Sequence, residues 1–489
     1  MMGKTIGGAR SAAITTAALA LSSGLNFVAI FVWVRVLGPV DFGVYALVSG
    51  AGLFLNAMLF EWLRVVGARI LYDRDAPYLI DPRRADAILR FVALVALAFI
   101  AVAGVLWALR IGGPGFGADW IPLIVVFTFS EMMLAMLNVT SRVRMLPWQF
   151  FTAMVARSAL AIVVGLVLVL GLHMGATGVM LGIVAAQLGT AIVMMARDPM
   201  WRGLRLSGGD AAARREVLAL GLPLIASAAL AYGAGIADRY LVGGVMGTAQ
   251  VGYYTAPADM LQKTLGFVML ALNIAAYPAL VRAYDDHGPE AARKVLEDNF
   301  VAQLLLGLPA TVAFVMMPSG LSNLLLGKAY HDVATVLLPW VAVAALLRLL
   351  TSLHLTMVFQ IARRMTMMMV APVVILIVLV PAGIYGMRTA GLPGMAYAAL
   401  AAQAAAWVVC AVLAQRVFRF ALLDRDVVKI LIACAVLALA LWPARHVTET
   451  IPVLLACAVG GTAFLIALLA LRLDRARPLW AKIKARRGR

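Results

Sequence analysis

The chain contains about fourteen apolar stretches, each long enough to cross the hydrocarbon core of a bilayer, which is about 30 Å thick. They lie at residues 11–34, 44–62, 87–109, 120–140, 150–171, 177–196, 217–243, 253–280, 299–319, 333–358, 366–386, 395–415, 428–442 and 453–471. Several contain Gly or Pro, as at Pro372 and Pro381, which membrane helices tolerate because neighbouring helices satisfy the freed backbone groups. The pattern predicts an all-α integral membrane protein rather than a barrel of strands.

Composition supports this prediction and limits the other classes. Hydrophobic residues make up 64% of the chain and charged residues 13%, whereas soluble proteins contain roughly 45–50% and 25%. The net charge of +18 does not indicate nucleic acid, because the basic residues are scattered between apolar runs instead of forming one face. Cys410, Cys434 and Cys457 lie in three separate segments without metal-ligand spacing, so we expect neither a disulfide nor a metal site.

Lys and Arg are distributed unequally between the two sets of loops. If the N-terminus is cytoplasmic, about 32 of the 41 Lys and Arg residues fall in cytoplasmic loops or the C-terminal tail. The outer loops then contain only Arg35, Arg110, Lys328, Arg388 and Arg445. Because basic residues accumulate on the cytoplasmic side, the pattern predicts that both termini are cytoplasmic.

Two predicted outer turns, at residues 37–45 and 246–254, match each other at an offset of about 209 residues. The matched positions are Gly38 with Gly247, Gly43 with Gly252, and Tyr45 with Tyr254. An even number of spans separates the copies, so the repeats are predicted to be parallel, related by an axis along the membrane normal. We therefore expect a six-helix lobe at 1–196, a cytoplasmic linker at 197–216, a second six-helix lobe at 217–415, and two extra helices with a basic tail at 416–489.

Charged side chains lie inside the predicted spans. The basic ones are Arg157, Arg239, Lys263 and Arg348, and the acidic ones are Glu61, Glu131, Asp238 and Asp259. A charge at bilayer depth costs roughly 3 kcal/mol or more, so we expect the cations to line a wet cavity that receives an anionic ligand. Alternatively, the two aspartates neutralise Arg239 and Lys263 within the bundle, since Asp259 and Lys263 have the spacing of an intrahelical pair.

Other charged positions leave two interpretations open. Arg35, at the end of the first span, either gates an outer mouth or anchors to lipid headgroups. Glu131 either takes up a proton that couples transport to an ion gradient, or is the buried partner of Arg157. Glu61 and Arg64 are predicted to form an interfacial pair at the inner end of the second span.

Residues 35–45 match the pattern R-x-L-G-x-x-x-F-G-x-Y and resemble a turn of the polysaccharide-transport proteins. These proteins, which include the Wzx-type flippases, belong to the multidrug/oligosaccharidyl-lipid/polysaccharide (MOP) exporter superfamily. Further similar elements follow in the same order, namely Gly221-Leu222-Pro223, Asp238-Arg239, Val251-Gly252-Tyr253-Tyr254 and Ala276-Tyr277-Pro278. Together with the layout of apolar stretches, the resemblance spans nearly the whole chain.

The resemblance implies two six-helix lobes around a central cationic cavity in the bacterial cytoplasmic (inner) membrane. Such a protein moves an undecaprenyl-pyrophosphate-linked oligosaccharide between leaflets by alternating access, and its partners include membrane lipids, a glycan polymerase and a chain-length regulator. We expect Arg35, Arg157, Arg239, Lys263 and Arg348 to bind the substrate. We expect Glu61, Glu131, Asp238 and Asp259 to act in coupling or as charge partners.

Three alternatives are weighed against this hypothesis. A cation-coupled drug antiporter of the same fold would carry an acidic site in the first span, but residues 11–34 contain neither Asp nor Glu. A peptidoglycan lipid flippase would carry a serine-arginine signature there, which we do not find. A membrane glycan polymerase would need a long outer loop with paired carboxylates or histidines, and the sequence also lacks the phosphate-binding pattern G-x-x-x-x-G-K-[ST]. We therefore expect no enzymatic activity, no ATP hydrolysis and no cofactor.

Overall fold

The computed structural model of the protein describes residues 8–62, 82–198 and 211–476. Within these ranges the chain is almost wholly helical and contains no β-strand. Thirteen of the described helices are long and apolar enough to cross a membrane, which confirms the predicted all-α membrane fold. The helices divide into two compact units, Met1–Gly252 and Tyr253–Arg489. The predicted lobe boundaries stay a prediction.

The first unit contains seven long helices and the first residues of an eighth. They are α1 (Gly8–Val36), α2 (Pro39–Phe60), α3 (Pro82–Ala108), α4 (Ile121–Val143), α5 (Pro147–Leu166, continued by a π-helix at Val167–Gly171), α6 (Gly175–Arg197), α7 (Ala211–Met246) and the start of α8 (Thr248–His287). Three of these helices, α2, α3 and α5, begin with Pro, which fits the first helical position because the missing N–H would have no partner there.

Close contacts between α2 and α4 order the first unit. A β-carbon on Gly52 would overlap the ring of Phe127, so glycine is needed for this approach. The Asn56 amide donates to the Thr128 carbonyl at 3.2 Å, and the Thr128 hydroxyl donates to the Ile124 carbonyl at 2.8 Å. Polar groups inside the apolar bundle are thus satisfied by neighbouring helices.

The two repeat-related turns contact each other within the first unit. A β-carbon on Gly43 would overlap the Thr248 carbonyl oxygen, and one on Gly252 would overlap the Pro39 carbonyl oxygen. Since Thr248 corresponds to Pro39 and Gly252 to Gly43 at the repeat offset, the two contacts are equivalent. Such a reciprocal contact is expected of two similar turns related by a two-fold axis, and it supports the repeat seen in the sequence.

The second unit contains the rest of α8 and the C-terminal helices. They are α9 (Pro289–Met316), α10 (Pro318–Leu325), α11 (His331–Leu350), a π-helix at Thr351–Leu355, α12 (Thr356–Ile361), α13 (Val370–Ala390), α14 (Leu392–Val417), α15 (Arg425–Leu441) and α16 (Thr450–Leu471). The backbones of α13 and α14 touch where Gly386 meets Gly394, because no side chain separates them. His354 is fully buried, with its ring 4.8 Å from that of Phe300 and 5.4 Å from that of Phe420.

Ion pairs attach the segment after α16 to α9 and α15. The carboxylate of Asp426, which is 2% exposed, accepts hydrogen bonds from the backbone N–H groups of Asp474 at 2.8 Å and Arg475 at 3.1 Å. The Arg475 guanidinium pairs with Asp298 at 2.5 Å and Asp424 at 2.8 Å. We refer to these five residues as the C-terminal ion-pair network.

Candidate substrate-binding site

Arg157 and Glu131 form an ion pair between α5 and α4 in the first unit. Arg157 Nη1 lies 3.7 Å from Glu131 Oε1, and the two side chains are 17% and 15% exposed. The Gln187 amide on α6 donates to the same Glu131 oxygen. The sequence left open whether Glu131 is an isolated carboxylate or the buried partner of Arg157, and in the structure the two residues are paired.

A second polar layer supports this pair. Ser130 is buried beside Glu131, and its hydroxyl donates to Gln187 Oε1. Gln187 itself is fully buried, so its amide is held in one orientation by Ser130 on one side and Glu131 on the other. Sequence reasoning missed Ser130 and Gln187, although a Gln within an apolar span was a signal that could have been used.

Arg239 lies on α7 and is half-buried against Gly50 of α2. Its Cδ is 3.4 Å from the position that a β-carbon on Gly50 would take. The next residue, Tyr240, donates its hydroxyl to the Leu47 carbonyl at 2.6 Å and so fixes α7 against α2. Asp238 accepts a hydrogen bond from the backbone N–H of Arg239 at 2.8 Å. The small residue Gly50 therefore makes room for the Arg239 side chain.

Two contacts align α8 with α11 in the second unit. A β-carbon on Gly266 would touch Leu349 at 3.5 Å, and farther along the Asn273 amide donates to the Leu353 carbonyl at 2.6 Å. Residue numbers rise together along both helices, so α8 and α11 run parallel through this region.

This alignment places Lys263 and Arg348 at about the same level along the axes of α8 and α11. Lys263 precedes the Gly266 contact by one helical turn, and Arg348 directly precedes Leu349. Lys263 is exposed and Arg348 is half-buried. Asp259 is half-buried one turn before Lys263, consistent with the predicted intrahelical spacing. Two adjacent helices thus each contribute one cation at one level.

The remaining predicted residues lie at helix ends. Arg35 is exposed in the last turn of α1. Glu61 is half-buried and follows α2 directly, its backbone N–H bonded to the Ala57 carbonyl. The predicted partner of Glu61, Arg64, lies outside the described residues.

Each unit also contains a polar cavity that the sequence did not predict. A cavity of about 740 Å³ lies among α1, α4 and α5 in the first unit, and Thr15, Asn138 and Arg142 are among its lining residues. A cavity of about 420 Å³ lies between α8 and the π-helical region after α11 in the second unit. Both volumes fall within the range of about 300–1,000 Å³ that is typical of ligand sites.

The described residues do not form a metal centre. No group of three or more His, Cys, Asp or Glu side chains among them is arranged to hold a metal ion. The four basic side chains of the spans carry guanidinium and ammonium groups, which suit phosphate oxygens.

Comparisons with known proteins identify the fold. Residues 119–335 match a family model described as polysaccharide biosynthesis protein. The fold matches that of the lipid II flippase MurJ in an inward closed conformation, with a TM-score of 0.75, 12% identity, and 95% of this chain and 99% of that chain covered. No curated protein matches the sequence.

Two further structures share the fold at lower similarity. An inward-facing multidrug resistance MATE family transporter of the MOP superfamily has a TM-score of 0.58 and 17% identity, covering 85% of this chain and 96% of that chain. A MOP superfamily transporter from Pyrococcus furiosus has a TM-score of 0.51 and 17% identity, covering 85% and 99%. The chain is a multi-pass membrane protein with the MOP fold, and its resemblance to the polysaccharide-transport family is confirmed.

Proposed function

We propose that the protein is a flippase that moves an undecaprenyl-pyrophosphate-linked oligosaccharide from the inner to the outer leaflet of the bacterial cytoplasmic membrane. The product is a repeat unit for a surface polysaccharide such as O-antigen, exopolysaccharide or capsule. The protein acts by alternating access and performs no chemical step itself. Its termini lie in the cytoplasm, and a glycan polymerase with its chain-length regulator receives the translocated unit.

The observation that carries this proposal is the pair of cations, Lys263 and Arg348, at one level on the parallel helices α8 and α11. A diphosphate carries about two negative charges and cannot cross hydrocarbon without compensation. Arg presents a planar fork to phosphate oxygens and Lys a compact point charge. The match of residues 119–335 to a polysaccharide biosynthesis family supports a sugar-bearing substrate.

Charges in the first unit take a different role in this proposal. Arg239 contacts the substrate with Asp238 as its charge partner, and in the second unit Asp259 is the charge partner of Lys263. Glu131 is held by Arg157 and Gln187. Arg157 therefore binds the substrate only when the Arg157–Glu131 ion pair opens during the transport cycle. Arg35 and Glu61, at helix ends, interact with headgroups as the substrate arrives or leaves.

Genetic complementation tests the proposal. In a strain that lacks the chromosomal copy of the gene, we expect K263A and R348A to abolish surface-glycan export while the protein remains in the membrane at normal amounts. Arg445 provides a matched control, because it is exposed in a predicted outer loop and stacks on Trp442 at 4.5 Å. R445A should restore export fully.

The opposite result would contradict the proposal. Full glycan export by folded K263A and R348A variants would show that the diphosphate is not held by this pair. A change in resistance to cationic dyes, with surface glycan unaffected by deletion of the gene, would instead indicate an antiporter of the same fold.

A further inference from the structure

The polar cavity of the second unit lies between two irregular segments of helix. One wall is α8 around Pro278, and the other is the π-helix at Thr351–Leu355 with the start of α12. Its polar lining residues are Asn273, Tyr277, Ser352, Thr356 and Gln360. Helix interruptions at such positions are frequently associated with functional sites.

Asn273 holds the two walls together. A π-helix shifts the backbone hydrogen-bond register, and the carbonyl of Leu353 in this segment accepts the Asn273 amide at 2.6 Å. This leaves the Asn273 side-chain carbonyl as an acceptor. The Ser352 hydroxyl donates to the Leu349 carbonyl of α11 at 3.3 Å, and the Thr356 hydroxyl donates to the Ser352 carbonyl of the π-helix at 2.5 Å.

The polar groups that line the cavity are uncharged. Tyr277 is 37% exposed and Gln360 is half-buried, so a phenol and an amide are presented to the cavity. Neutral donors and acceptors with an aromatic face match the hydroxyl groups and apolar faces of a sugar ring. A diphosphate would require cations, and the lining contains no Lys or Arg.

The cavity lies on the same two helices as the proposed diphosphate site. Asn273 follows Lys263 by ten residues on α8, which corresponds to about 15 Å along a helix. Tyr277 lies fourteen residues from Lys263, on nearly the same face of α8, because fourteen residues are close to four turns. A chain of several sugars, attached to a diphosphate at the level of Lys263 and running along α8 toward Tyr277, would therefore reach the cavity.

We propose that this cavity is a sugar-binding subsite that receives a residue of the lipid-linked oligosaccharide several sugars from the diphosphate, with Tyr277 and Gln360 as its recognition groups. This inference rests on the proposed function. The cations hold the part that all such lipids share, and the cavity contacts a sugar farther along the chain. The subsite thus increases the affinity for lipid that carries an extended sugar chain.

Binding measurements on the purified full-length protein in nanodiscs test the subsite. The probes are undecaprenyl diphosphate, the same lipid carrying one N-acetylhexosamine, and the lipid-linked repeat unit extracted from a host strain that lacks the flippase. We expect the double variant Y277F/Q360L to bind the lipid-linked repeat unit at least about tenfold more weakly, since two hydrogen bonds are lost, while its Kd for undecaprenyl diphosphate and for the one-sugar lipid changes less than about twofold.

Y385F is the matched control, because Tyr385 is 71% exposed on α13 and does not line the cavity. It should bind all probes as the wild type does. The single variants Y277F and Q360L are measured alongside, so that a folding defect of the double variant does not decide the result.

Each contrary outcome has a distinct meaning. If the wild type binds undecaprenyl diphosphate but the cavity variants lose no affinity for the lipid-linked repeat unit, or lose affinity for all probes equally, the subsite is contradicted and the proposed function stands. If the wild type binds none of the probes more tightly than phosphatidylglycerol, the proposed function fails and the subsite fails with it.

Discussion

The residues Arg157 and Glu131 illustrate how single charges are kept within the membrane-spanning helices. Neither side chain is more than 17% exposed, and Gln187 holds the carboxylate from a second helix. The sequence identified both charges, because a charged residue stands out within an apolar run. The sequence did not decide whether Glu131 is paired with Arg157 or isolated, because that depends on which faces of α4, α5 and α6 meet.

A double-mutant cycle measures the coupling within this pair. We expect E131Q and R157Q each to lower the Tm of the purified protein, because each leaves one buried charge uncompensated, at a cost of up to about 3 kcal/mol. The double variant should lose less than the sum, with a coupling energy of about 1 kcal/mol or more. Additive losses would show that the two groups do not stabilise each other.

The exposed pair Arg110–Asp119 offers a control for this cycle. Its charged atoms are 2.6 Å apart, closer than in the buried pair, but the side chains are 72% and 80% exposed. Water screens such a pair, so the same cycle at these positions should give no measurable coupling.

Among the helices, the contact between the starts of α2 and α8 depends on two glycines. We expect G43A and G252A each to reduce the yield of folded protein strongly, because a methyl group would overlap a backbone carbonyl of the other turn. Size-exclusion profiles of the solubilised protein provide the measurement. Gly189 in α6 has open space around it, so G189A should fold as well as the wild type or better.

The C-terminal ion-pair network is a feature of helix packing that the sequence did not reveal. It joins residues separated by more than a hundred positions, Asp298 on α9 and Arg475 after α16, and no local pattern encodes such a contact. The distribution of basic residues near the C-terminus indicates topology. Arg475 also attaches the segment after α16 to α9 and α15.

Hydrogen exchange tests this attachment. In D426A the backbone amides of Asp474 and Arg475 lose their acceptor, so we expect them to exchange at least about tenfold faster and the Tm to fall. D285A is the control, because Asp285 is exposed on α8 and lies outside the network. Unchanged protection in D426A would contradict the assigned role.

For the molecule as a whole, the fold was largely accessible from sequence and the site only partly so. Apolar length alone located long helices such as α6 at Gly175–Arg197 and α16 at Thr450–Leu471, which lie within a few residues of the predicted stretches. The level shared by Lys263 and Arg348 was not accessible, because it depends on the register of α8 against α11. The cavity beside Tyr277 depends on a π-helix, which has no sequence signature that we could have used.

The predicted orientation is tested by labelling single cysteines in a cysteine-free background. Positions 249 and 286 lie near opposite ends of α8. We expect A249C to react with a membrane-impermeant maleimide added outside spheroplasts, and D286C to react only after the membrane is opened. The reverse pattern would overturn the predicted topology.

The central claim is that cations on α8 and α11 carry a diphosphate-linked sugar across the membrane, and reconstituted transport tests it most directly. Proteoliposomes loaded with undecaprenyl diphosphate bearing N-acetylhexosamine are assayed for the amount of lipid that becomes accessible to a lectin added outside. We predict that the wild type and R445A increase this accessible fraction over time, whereas K263A and R348A do not. The account would be contradicted if the wild type moved no lipid, or if the two charge-removing variants moved it at the wild-type rate.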